Sequence, residues 1–92
     1  MIRFEWNQTK AINNQRKHGV SFAEAVSVFY DENATLFYDK ENSLQEDRYL
    51  MLGLSRRMRV LLVSFSESDD GDVIRLISAR KATNNESRYY KN

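Results

Sequence analysis

Arg80 and Lys81 stand together in ISARKAT, residues 77–83, where an apolar run ends and a helix start follows. The planar fork of an arginine suits bidentate contact with a phosphate. Backbone N–H groups at a helix start can add to an anion site. Two cations flanking a strand end can equally be ordinary edge decoration, and local sequence leaves both readings open. A second candidate is KHG, residues 17–19, which holds the single histidine, His18, beside Lys17. Histidine titrates near neutral pH and can act as general acid or base or touch a phosphate. At a helix C-terminus it also serves simply as a cationic end residue. Arg75 lies in the same apolar run as Arg80, and LSRRMR places Arg56, Arg57 and Arg59 at a tight turn. Exposed arginines there are either solvated or follow a nucleic-acid backbone. Tyr89 and Tyr90 are packing residues or, on the sharper reading, a platform for a base.

Other chemistries find less support. There is one histidine and no cysteine, so a thiolate metal site and a disulfide framework are both excluded. Asp69, Asp70 and Asp72 surround Gly71, but a calcium loop needs a glutamate six residues past its glycine, and Ile77 stands there. That cluster reads as a solvated turn, and no metal or cofactor is expected. The three glycines, at 19, 53 and 71, form no phosphate loop, and no serine has the context of a nucleophile elbow.

The 92 residues suit a single domain, residues 1–92, with one modest core. No apolar run approaches the roughly 20 residues that span a bilayer, and MIRFEWNQTK lacks a signal-peptide core. The expectation is a cytoplasmic protein with no membrane contact. Net charge is only +1, but it is unevenly distributed. Residues 1–20 and 75–92 are basic, while 21–50 is acidic. If the two ends meet in space they form a patch suited to phosphates; the plain alternative is a mixed surface.

These residues need elements to hold them. IRFEW alternates and predicts a short strand. Asn7 can cap a helix over Gln8–His18 that buries only a narrow stripe, since Ala11 and Ile12 are its apolar residues. Gly19 suits the left-handed end of that helix. Ser21 and Glu24 have capping-box spacing for a second helix over residues 22–30, whose apolar face is Phe22, Ala25, Val26 and Phe29. ATLFYD, RYLMLGLS, MRVLLVSFS and VIRLISAR read as strands, the last two joined by an Asp-Gly turn. Thr83 and Glu86 open a short C-terminal helix with a second capping box. The order β-α-α-β-β-β-β-α predicts an α+β domain: a small antiparallel sheet of four main strands plus a short N-terminal strand. Strict alternation puts Ile74, Leu76, Ser78 and Arg80 on one face and Arg75, Ile77, Ala79 and Lys81 on the other. On that parity Arg75 and Arg80 do not serve one substrate together.

FEWN, KHGVSF, DRYLMLG, VLLV and IRLISARKAT, in this order from Phe4 to Tyr90, resemble the BrnT-type toxins of bacterial toxin–antitoxin systems. The pairing of KHGVSF with ISARKAT carries the resemblance, and Asn7 stands where such proteins commonly have aspartate. The resemblance implies a RelE-like fold and a ribonuclease that inhibits translation; the mechanism expected for it is metal-independent cleavage by the ribose 2′-hydroxyl. It also implies neutralisation by a BrnA-like ribbon-helix-helix antitoxin, with operator DNA bound only through that antitoxin. Carried over by residue, it implies His18, Arg80 and Arg75 as catalytic and Lys17, Lys81, Arg56 and Arg59 as RNA-binding. The competing reading is a non-catalytic module that holds RNA or a protein through the same basic patch.

Overall fold

A computed structural model describes residues 1–90. Among them, strand β1 (Arg3–Glu5) leads into helices α1 (Gln8–His18) and α2 (Phe22–Val28). Then come β2 (Thr35–Tyr38), β3 (Tyr49–Leu54), β4 (Val60–Glu67), β5 (Val73–Lys81) and a short helix, α3 (Asn84–Ser87). The strands form one sheet in the order β1-β5-β4-β3-β2. β2 to β5 are antiparallel neighbours, as the short links require. β1 instead runs parallel to β5, so the sheet is mixed; α1 and everything after it separate the two strands in sequence. The α+β class and the helix-strand order hold.

Local chemistry sets the helix ends. The Asn7 side chain accepts from Lys10 N, and Gly19 ends α1 in the left-handed region at φ 69°. Thr83 and Glu86 form the complete, reciprocal capping box of α3. The Ser21 box is only half made. Ser21 accepts from Glu24 N, but the Glu24 carboxylate turns away to Arg59 and Ser55. A charged guanidinium is a stronger partner for a buried carboxylate than a backbone N–H.

α1 and α2 cover one face of the sheet, here called the helix face. Phe22, Ala25 and Val28 pack there with Leu61, Val63, Phe65, Ile74, Leu76 and Ala79. Gly53 lies under α2; a β-carbon there would meet Val28 Cγ1 at 2.8 Å, so only glycine admits this approach. α1 contributes little apolar surface, and its buried residue is Asn14. The Asn14 amide donates to the carbonyls of Val20 and Ala79 (2.9 and 2.8 Å) and accepts from Ala79 N at 3.0 Å. β1 pairs with β5 only as far as Arg75. Asn14 therefore satisfies the backbone edge of β5 where strand pairing has stopped, as buried polar groups demand.

One sequence expectation fails. Leu76 pairs with Phe65 and Ser78 with Ser64, leaving Ile77 as an extra residue on β5. This β-bulge reverses the alternation beyond it. Leu76 and Ala79, three apart, both enter the core, and Arg80 pairs with Leu62 while Lys81 pairs with Leu61. Arg80 therefore shares the open face with Arg75, and Lys81 points to the helix side.

Candidate functional site

The open face carries the polar cluster. Leu50, Leu62, Ser64, Ile77 and Ser78 floor a depression of about 400 Å³, walled by Arg80, Glu86, Arg48 and the 39–42 segment. Arg80 reaches it from β5, near the strand end, with 38% of its side chain exposed. Its guanidinium is held by Glu86 in a parallel fork, Nη1 to Oε1 at 2.7 Å and Nη2 to Oε2 at 2.8 Å. Glu86 Oε1 also accepts from Thr83 N, so the α3 cap and the arginine orient each other. The fork with Arg80 holds the Glu86 carboxyl at about 2, against an ordinary 4.5. It therefore stays ionised at neutral pH and is a poor proton acceptor. Opposite lies Arg48, with Glu46 at 3.7 Å and no hydrogen-bond partner for its buried Nε. Two arginines, two serine hydroxyls and two carboxylates, Asp39 and Glu86, line the depression, and an anion entering it would compete with Glu86 for Arg80. Arg48, Ser64, Ser78 and Glu86 were missed by sequence reasoning; only the capping-box spacing of Glu86 signalled any role.

The other candidates divide. The Arg59 guanidinium donates to the Gly19 carbonyl at 3.1 Å, and the Val60 carbonyl accepts from Ala82 N. This chain of bonds brings Lys17 and His18 to the end of the sheet where Arg80 and Lys81 lie. Lys17 and Lys81 are exposed and His18 is half-buried. Among the described residues no hydrogen bond or ion pair joins His18 to Arg80. Arg75 shares the open face with Arg80 but lies roughly 15 Å along the strand at about 3.3 Å per residue, and it pairs with Glu5 at 3.4 Å. Arg56 is exposed in the β3–β4 turn. Arg59, in contrast, is consumed by the fold. Its Nε donates to Glu24 Oε2 at 3.0 Å, its Nη2 meets Glu24 Oε1, and Glu24 is 1% exposed. Bonding to Arg59 outweighs burial and keeps the Glu24 carboxyl below its ordinary range.

The C-terminal tyrosines pack. Tyr90 Oη donates to Asp31 at 2.6 Å, and Tyr89 meets Phe37 edge-on at 6.5 Å while remaining exposed. The aspartates near Gly71 form a turn: Asp70 accepts from Ser68 Oγ and Asp72 N, and Gly71 takes φ 75°. Among the described residues no helix is long and apolar enough to cross a membrane.

A mixed five-stranded sheet, with α1 and α2 on one face and an open polar depression on the other, defines the class: a small α+β protein. The family described as "Ribonuclease toxin, BrnT, of type II toxin-antitoxin system" matches residues 6–86, and the chain belongs to that family. The fold is similar to the 1.1 Å crystal structure of the Brucella abortus ribonuclease toxin, BrnT. The TM-score is 0.69 at 22% identity, over 90% of this chain and 99% of that one. No curated protein matches the chain in sequence.

Proposed function

We propose that the chain is a metal-independent endoribonuclease toxin that cuts RNA at the open sheet face and so inhibits translation in the cytoplasm. The supporting observation is the family match across residues 6–86, which includes Arg80 with its guanidinium in a polar depression. In the reaction the ribose 2′-oxygen bonds to the adjacent phosphorus and gives its proton to a base. The P–O5′ bond breaks and the 5′-oxygen takes a proton from an acid, leaving a 2′,3′-cyclic phosphate and a 5′-hydroxyl. Arg80 holds the scissile phosphate and stabilises the charge on its oxygens, exchanging part of its fork with Glu86 for the substrate. His18, the last residue of α1, is the candidate acid or base. Lys17, Lys81 and Arg56 contact flanking phosphates, and Arg75 a more distant one. Arg59 acts through position: it fixes Gly19, the residue after His18. The partner is a BrnA-like ribbon-helix-helix antitoxin that also carries the complex to operator DNA.

Induced expression tests this reading. The expected outcome is growth arrest, with RNA ends bearing cyclic phosphate, and cleavage that persists in excess chelator. Arg80→Ala abolishes the arrest and His18→Ala weakens it. Full toxicity of both variants overturns the site. Loss of all cleavage in chelator overturns the metal-independent route. RNA binding without any cleavage favours a non-catalytic module.

A further inference from the structure

The helix face is covered only in part. α2 ends at Val28, so the edge strand β2 and the neighbouring stretch of β3 have no helix above them. The result is a groove of about 500 Å³ lined by Ile2, Phe4, Tyr30, Leu36, Tyr49 and Met51, among others. Leu36 is 57% exposed, Tyr30 75% and Ile2 54%. Contiguous apolar exposure of this kind marks an interaction surface. It lies on the face of the sheet opposite Arg80.

Charge selects the occupant. The one acidic or basic side chain lining the groove is Glu67, and Glu67 and Tyr49 also border an adjoining pocket lined by Glu46, Asp47 and Asp69. Among the described residues neither lining contains a lysine or arginine. Tyr38, half-exposed beside Tyr49, donates to Asp47 at 2.8 Å and anchors one carboxylate at the rim. The negative field there is also felt by the Tyr49 hydroxyl, which burial and then Asp47 and Glu67 push above its ordinary range. Such a rim repels a polyanion and attracts a cationic polypeptide.

We infer that this groove is the docking site for the protein antitoxin, taking an apolar segment of it flanked by lysine or arginine. The inference rests on the toxin reading above and adds a surface and a recognition chemistry. It separates two activities in space. RNA meets Arg80 on one face, and the antitoxin grips the other, leaving its remaining length to wrap toward the catalytic face.

The test is a titration of the small protein encoded beside this chain into wild type and folded variants, with RNA cleavage measured in parallel on each variant alone. Leu36→Glu and Tyr30→Glu both weaken binding by at least about tenfold. Glu67→Lys weakens it and flattens its salt dependence, whereas Leu44→Glu, outside the groove, does not. Cleavage by all four variants alone stays at the wild-type rate. Unchanged binding in both Leu36→Glu and Tyr30→Glu overturns the inference and leaves the toxin reading intact. So does a dimer of this chain that Leu36→Glu dissolves while antitoxin binding persists. Loss of RNA cleavage in folded Leu36→Glu also overturns it, by making the groove part of the RNA site. Absence of cleavage by wild type counts against the toxin reading instead.

Discussion

Two arginine–glutamate pairs lie on opposite sides of the same sheet. Arg59 and Glu24 meet on the helix side, where Glu24 is 1% exposed and Ser55 Oγ donates to it as well. Arg80 and Glu86 meet on the open side, with 38% and 31% of their side chains exposed. Both are two-pronged forks, yet surroundings give them different work. The first ties the β3–β4 turn to α2 and the end of α1, and no substrate can reach Glu24 without unfolding the site. The second is wet and adjoins an open depression, and on the proposed reading it exchanges its carboxylate for a phosphate. A cation is available for chemistry when its partner can be replaced, and burial of Glu24 denies Arg59 that freedom.

Breaking the buried pair has the largest expected effect on stability. Arg59→Ala leaves a buried carboxylate without its cation, held by Ser55 alone, and costs about 3–5 kcal/mol. For a chain of this size each kcal/mol lowers the melting temperature by roughly 4–8 °C, so calorimetry should register a fall of more than about 10 °C. The matching change in the open pair, Glu86→Gln, costs about 1 kcal/mol or less at neutral pH, because exposed pairs are screened. Its signature is in acid. A carboxyl held at about 2 in the fold stabilises above its ordinary value of 4.5 and loses that contribution as pH falls toward about 2. The stability gap between wild type and Glu86→Gln, followed by urea melts, should be constant above pH 4.5 and close below it. The smallest effect comes from the turn that carries Arg59. Met58 holds φ 63°, a left-handed conformation costly for a side chain, and it is 75% exposed. Met58→Gly should raise stability by about 0.5–1 kcal/mol without altering cleavage.

The two pairs also differ in how far the sequence discloses them. Thr83 and Glu86 are three residues apart and announce the α3 cap, so half of the Arg80–Glu86 fork is legible as local spacing. Asn7, Gly19 and the Asp-Gly turn are legible for the same reason: each acts on backbone a few residues away. Glu24 and Arg59 are 35 apart, and only the folded chain brings them together. The spacing of Glu24 suggests a cap, and its real partner was invisible. Asn14 is likewise hidden: an amide in a polar helix looks solvated until the edge of β5 demands it. The bulge at Ile77 misled strand parity most, because one extra residue reverses every side chain beyond it. It moves Arg80 onto the face of Arg75, and the depression around Arg80 and Arg48 exists only once that register is known.

The central claim is that Arg80 serves chemistry and not the fold. The direct measurement is the initial rate of RNA cleavage by purified Arg80→Ala, with its melting temperature recorded alongside. The account predicts a loss of roughly 10²–10³-fold, the scale of removing one charge-stabilising donor, with melting within a few degrees of wild type. A folded Arg80→Ala protein that cuts RNA at the wild-type rate would contradict it.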